Sequence, residues 1–396
     1  MAVLFVLSAA AWAAGQAKPV VPPQTNEGFK VLEAKADAAR EANRLADALL
    51  LYKKALALQP AWAEGWWSLG TIQYDRDTYA EAARSFHKVV ALAPRNGTAY
   101  VMLGLSEFEL GRDDVALKHL EKGESLGLDK DPELRRVVLY HHGVLLQRAG
   151  KFQAAREILE QLCLQGVQSD GIATALGMTL LRQRSKSLAA PGSEDAEVVA
   201  HVGGAGCLGG QKKFDEGREE MAAIVAQHPK YPWIHYALGL LLLEASDLPG
   251  AVAEFKEEIK NNPADVVSRL EIAAAMYKID SATGLVYAEE AVKLAPREPF
   301  GHYLLGMLRL DVDDYLHAIP ELEIAEKSLP REPKIFAALG TAYSRTGRQQ
   351  DAARARATFA RLTAGEKKAV ASESQPEPRS PGPDRIPVGD VPTTPQ

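Results

Sequence analysis

Prolines at 60 and 94, at 229 and 263, and at 296 and 330 each stand 34 residues apart, and similar segments recur between them. A fixed period in this range marks a stack of small supersecondary units, each burying its apolar face against its neighbours. One copy reads WWSLGTIQYDRDTYAEAARSFHKVVALAP from Trp66 to Pro94. Small residues fall at matching places in the first half of the copies: Ala36, Gly70, Gly104, Gly143, Gly177, Ala205, Gly239, Ala273, Gly306 and Gly340. A second small series follows about twelve residues later, at Ala48, Ala82, Ala116, Ala155, Ala251, Ala318 and Ala352. Its apolar neighbours are spaced three and four apart, which makes one stripe on a helix. Turns such as RDT before Tyr79 and GRDD from Gly111 separate the halves, and the proline closes the second. Each copy is therefore predicted to be a helical hairpin whose small residues sit where helices cross, because a larger group there would force the axes apart.

These copies resemble the tetratricopeptide repeat family, whose pattern runs through an aromatic residue, Leu-Gly, a Tyr, an Ala, a large apolar residue, an Ala and a closing Pro. The second copy supplies Trp66, Leu69, Gly70, Ala82, Phe86 and Pro94; a later one supplies Leu238, Gly239, Ala251, Phe255 and Pro263; the last supplies Phe336, Leu339, Gly340, Tyr343, Gly347 and Ala352. Units are placed at 29–62, 63–96, 97–130, 136–169, 198–231, 232–265, 266–298, 299–332 and 333–366. The resemblance implies an all-α fold, a right-handed α-solenoid of tandem helical hairpins. Some copies depart from the pattern: His235 and His302 replace the first aromatic residue, and the 266–298 copy is one residue short. At 170–197 the first helix is recognisable through Leu176 and Gly177, but SKSLAAPGSED replaces the second. Pro191 and Gly192 read as a loop there, so the solenoid is expected to be interrupted near 185–195.

Domain organisation follows from these boundaries. Residues 1–17 carry an apolar run from Ala2 to Ala14 and an Ala11-Trp12-Ala13 site, and they read as an export signal, although no Lys or Arg precedes the run. The run is too short to span a bilayer, and no cysteine follows it to carry a lipid anchor. A linker is expected at 18–28, an N-terminal lobe at 29–184, a break at 185–197 and a C-terminal lobe at 198–366. Residues 367–396, rich in Pro, Ser and charge, are expected to be disordered. The helix before them carries Arg354, Arg356 and Arg361, the polar outer face that a terminal repeat needs. An exported protein, periplasmic or secreted, is the expectation; a cytoplasmic one follows if the apolar run is no signal.

Composition narrows the function. The net charge of −6 is spread as mixed acids and bases through the helices, which leaves no basic stripe for nucleic acid. Gly204 to Gly209 spells the dinucleotide fingerprint G-x-G-x-x-G, but no strand precedes it and Ala205 occupies a repeat's small site, so it reads as a glycine-weakened helix. Cys163 and Cys207, on opposite sides of the broken copy, allow one disulfide; two buried thiols are the expectation, because adjacent hairpins would hold them too far apart. The nine histidines form no metal-ligand spacing, and no nucleophile elbow, P-loop or paired-carboxylate motif occurs. No catalytic, cofactor-binding or metal residues are assigned, and no enzyme is expected.

In the family that the copies resemble, first helices line a concave groove that holds partners. Its lining here would be Trp67 and Leu105 in the N-terminal lobe, and Trp233, Tyr236, Leu240, Leu270, Phe300, Tyr303 and Met307 in the C-terminal one. This face is apolar and aromatic, the chemistry of binding hot spots, and suits an apolar or helical peptide segment. The leading expectation is a non-enzymatic scaffold or adaptor that assists assembly of an envelope or secreted complex. A glycan- or lipid-binding envelope protein and a regulatory subunit of a neighbouring enzyme are the alternatives.

Overall fold

The computed structural model describes residues 23–128, 132–167, 169–185, 190 and 192–372. The expected signal at 1–17 and the Pro-rich residues beyond 372 lie outside them. Among the described residues every regular element is an α-helix, and the helices cluster into two compact units.

The first unit stacks four hairpins: α1 (Pro23–Glu41) with α2 (Leu45–Leu58), α3 (Ala63–Asp75) with α4 (Tyr79–Leu92), α5 (Gly97–Glu109) with α6 (Asp113–Leu126), and α7 (Pro132–Ala149) with α8 (Phe152–Leu164). Each second helix also packs on the first helix of the next hairpin. Helix α1 starts at Pro23, so the linker expected over 18–28 overlaps its first turns. The second unit opens with a single helix, α9 (Asp170–Leu180), which packs on α10 (Glu194–Gly210). Helix α10 in turn pairs with α11 (Phe214–Gln227). Four further hairpins follow: α12 (Ile234–Glu244) with α13 (Leu248–Asn261), α14 (Val267–Met276) with α15 (Ser281–Leu294), α16 (Pro299–Asp311) with α17 (Tyr315–Ser328), and α18 (Pro333–Arg345) with α19 (Gln349–Ser372).

The hairpins form because one contact repeats. A Cβ added at Gly70 would meet the Phe86 ring at 3.0 Å; at Gly104, Leu120 at 3.0 Å; at Gly143, Leu159 at 2.8 Å; at Gly239, Phe255 at 2.5 Å; at Gly306, Leu322 at 2.6 Å. In each case a glycine on the first helix seats a large apolar side chain of the second, which interior packing density requires. The second small series is fully buried from Ala48 to Ala352. Gly217 and Gly284 hold its place in the two hairpins that lack the alanine, each with an added Cβ about 3 Å from a neighbour.

The turns repeat as well. Asn43, Asp77, Gly111, Gly150, Lys212, Ser246, Lys278, Asp313 and Gly347 each take a positive φ between the two helices of a hairpin. In most hairpins the next N–H bonds back to a carbonyl five residues earlier, as Thr78 does to Gln73 at 2.9 Å and Asp247 to Leu242 at 2.8 Å. This is the Schellman closure of a helix. Helix α9 ends in the same way, with Arg182 at φ 51° and the Gln183 N–H on the Met178 carbonyl at 2.8 Å. It therefore keeps the exit of a first helix.

Helix α10 begins at Glu194, where the Ser193 hydroxyl accepts the Ala196 N–H at 3.2 Å. Glu194, Asp195 and Glu197 in its first turn complement the helix dipole. Its glycines qualify one expectation: Gly203, Gly206 and Gly209 are packing contacts rather than points of weakness. A Cβ on Gly203 would lie 1.8 Å from the Ala173 carbonyl oxygen, and one on Gly177 2.0 Å from that of Val199, so α9 and α10 meet backbone to backbone. Gly206 faces Leu180 and Leu176, while Gly209 faces Leu241. A helix with close neighbours on several sides needs small residues on several sides, which produces the false dinucleotide fingerprint. The cysteines bring a second correction: neither Cys163 nor Cys207 is a free thiol, and each is disulfide-bonded.

Candidate functional site

In the first unit Trp67 is half-buried, with its ring edge-on to Phe86 at 5.5 Å, whereas Leu105 is buried. The remaining residues expected to line a groove belong to the second unit. Tyr236, Leu240, Leu270 and Tyr303 are buried there, with Leu270 entirely so, and they act as packing under the surface. Trp233, Phe300 and Met307 are half-buried and offer surface.

Trp233 is held in an unusual way. It precedes α12 in a left-handed conformation, φ 67°, uncommon for so bulky a residue. Its backbone N–H donates to Glu258 Oε1 at 3.1 Å, and the Tyr236 N–H to Glu258 Oε2 at 3.4 Å. One carboxylate from α13 thus caps the start of α12. Burial pushes the Glu258 carboxyl up to about 7, and the neighbouring Asp265 carboxylate adds to the rise. The Trp233 ring lies edge-on to Tyr236 at 5.6 Å, and the guanidinium of buried Arg182 sits 5.2 Å and 5.7 Å from the two ring centres. This arrangement fixes the Trp233 ring in one place. Further along, Phe300 stands edge-on to Tyr303 at 5.9 Å.

A pocket of ≈ 320 Å³ opens beyond these residues, lined by Tyr277, Lys278, Met307, Leu310, Lys334, Ala337, Ala338, Thr341 and Phe359. Of the residues expected from sequence only Met307 lines it. Its origin lies in one position of the repeat. The fifth place of successive units holds Trp67, Val101, Tyr140, Val202, Tyr236, Leu270 and Tyr303, and then Ala337. Where the three preceding copies place Tyr236, Leu270 and Tyr303, the last hairpin leaves a gap, and Thr341 one turn on is small as well. The gap is walled by Tyr277, Met307, Leu310 and Phe359, the last 37% exposed. Two cations stand at it. The Lys278 ammonium lies 5.4 Å from the centre of the Tyr277 ring, and among the described residues neither Lys278 nor Lys334 is in an ion pair. The change from aromatic to alanine at the fifth place was the available signal for this pocket.

Among the described residues no group of His, Cys, Asp and Glu is placed to hold a metal ion, and no helix is long and apolar enough to cross a membrane.

A tetratricopeptide repeat family model matches residues 33–86, 69–127 and 208–266, and a second one matches residues 137–165. No curated protein matches the chain. Among solved structures, the chain is similar to a MamA double mutant of RS-1 at 20% identity, over 42% of this chain and 95% of that one, with a TM-score of 0.40. It is similar to a tetratricopeptide repeat protein from Parabacteroides merdae at 16% identity, over 71% and 99%, with a TM-score of 0.31. The APC/C hetero-tetramer Cut9-Hcn1 gives 14% identity, over 85% and 79%, with a TM-score of 0.33. With its recurring glycine-seated hairpins and these family matches, the chain is a tetratricopeptide repeat protein.

Proposed function

We propose that this scaffold meets its partner on the inner face of α14, α16 and α18, where an apolar or helical peptide segment places anchoring side chains in the pocket beside Ala337. Tetratricopeptide arrays are in general protein–protein interaction scaffolds, and this one assists assembly of a complex in the cell envelope. The observation that carries the reading is the gap left at the fifth place of the last hairpin, walled by aromatic and aliphatic side chains and rimmed by two lysines that have no acidic partner among the described residues. Apolar anchors seated in a pocket dominate interface energies, and a volume near 320 Å³ accommodates side chains rather than a whole helix. Half-buried Phe300 and Trp233 continue the apolar surface along the unit's first helices. The apolar run at 2–14 supports the envelope setting.

Affinity capture from an envelope extract tests the proposal. Ala337→Tyr, which fills the gap with the residue type of the earlier units, is expected to abolish capture, and Trp233→Ala with Phe300→Ala to weaken it. Full capture by Ala337→Tyr places the site elsewhere.

A further inference from the structure

We propose that the pocket beside Ala337 is occupied within the same molecule by residues 373–396, so that this segment competes with any partner for the site. The inference goes beyond the scaffold reading and stands on the pocket alone; it holds or fails whether or not a partner is captured there.

Three properties of the site match three of the segment. First, the walls are aromatic at Tyr277 and Phe359, and residues 373–396 carry prolines at 376, 378, 381, 383, 387, 392 and 395. Proline-rich chains pack on aromatic-lined grooves because their backbone is already restricted and loses little entropy on binding. Second, Lys278 and Lys334 stand at the site without an ion-pair partner among the described residues. The segment offers Asp384 and Asp390 on either side of Ile386 and Val388, with Arg385 between them and two further carboxylates at Glu373 and Glu377, so that it carries a net negative charge. Carboxylates flanking an aliphatic pair are the complement of lysines flanking an apolar gap. Third, the segment starts at the right distance. Phe359, which lines the pocket, lies on α19, the helix that the segment follows. From Phe359 to Ser372 along that helix is roughly 20 Å at 1.5 Å per residue. A dozen residues with coil statistics span about 19 Å, so the connection from Ser372 to Asp384 matches the return path. Matching of this kind gives effective concentrations of about 1 mM. A free segment with a Kd of only about 0.1 mM would then fill the site about ten to one.

Tryptic cleavage of the Arg385–Ile386 bond in the full chain, followed by mass spectrometry, tests the proposal. The bond is expected to be cut roughly tenfold more slowly than in a synthetic peptide of residues 373–396, as the same occupancy requires. Lys278→Glu with Lys334→Glu, and separately Ala337→Tyr, are expected to raise the rate to that of the peptide. Asp384→Asn with Asp390→Asn, read against a synthetic peptide that carries the same two substitutions, is expected to raise the rate to that of its peptide while leaving the helical array unaltered, so a folding defect cannot imitate the result. Equal rates in the wild-type chain and the peptide would overturn the proposal. So would protection that survives either the pocket variants or the segment variant, since the segment would then dock elsewhere.

Discussion

At the residue scale, one position shows how this chain substitutes one hydrogen-bonding solution for another. Trp66 donates its indole N–H to the Pro60 carbonyl at 2.9 Å, tying a first helix to the proline that closes the preceding unit. His235 makes the corresponding contact through Nε2 to the Pro229 carbonyl at 2.9 Å, and His302 through Nε2 to that of Pro296 at 3.0 Å. Each imidazole also meets a carboxylate of the second helix through Nδ1 at 2.6 Å, Glu254 in one case and Glu321 in the other. At His235 both ring nitrogens face acceptors, which favours the protonated ring. The Glu254 hydrogen bond holds the His235 pKa above its ordinary value, and burial lifts that of Glu258 to about 7. Both shifts mean that the folded state binds more protons than the unfolded one. The Glu258 contribution is lost as pH rises from the ordinary carboxylate range to about 7, and the His235 contribution as pH climbs above the ordinary histidine value. These two groups should therefore make the second unit more stable near pH 5 than near pH 8, while His141 in the first unit, its pKa lowered by burial, acts in the opposite sense; Glu258→Gln should flatten the lower part of the second unit's slope. Urea midpoints measured across this range would show it; a midpoint that rises with pH would refute the assignment.

At the scale of elements, helix crossings make the sharpest predictions. Gly104→Leu or Ala251→Phe overpacks a hairpin and should destabilise by roughly 1 to 3 kcal/mol, read from denaturant or thermal unfolding. An unchanged midpoint in both variants would mean the register is wrong. Helix α10 offers a contrast within one element. Gly203→Ala puts a methyl 1.8 Å from a backbone oxygen of α9 and should loosen α9, seen as faster amide exchange in residues 170–180. Gly204→Ala meets only a Glu220 side-chain oxygen at 3.1 Å and should instead gain part of the ~1 kcal/mol helix preference of alanine over glycine. The sequence made the hairpins legible because their code is local: a glycine, a large apolar residue about sixteen places on, and a turn between. The role of the α10 glycines was hidden because it depends on which helices surround α10. Composition alone reads Gly203, Gly204, Gly206, Gly209 and Gly210 as weakness, and packing gives several of them neighbours. The pocket escaped notice for a related reason. The sequence reading followed large apolar side chains along the first helices, from Trp67 to Met307, while the site is formed by the side chain that Ala337 lacks.

At the scale of the whole molecule, two compact units each bury their own helical hairpins, and the irregularity of the array is what distinguishes it from a plain repeat. Helix α9 caps the second unit at one end and the pocket lies near the other, where α18 and α19 have no later hairpin among the described residues. On the proposed reading, recognition in the second unit concentrates where the fifth-place side chain shrinks from Tyr303 to Ala337. The most direct test is photo-crosslinking in the producing cell, with p-benzoylphenylalanine installed in place of the pocket residue Phe359, which leaves the gap at Ala337 open, and, for comparison, at exposed position 316 on α17. An adduct between this chain and another polypeptide at position 359 and none at 316 is the predicted result. No such adduct at 359, or equal adducts at both positions, would contradict the assignment of the binding surface.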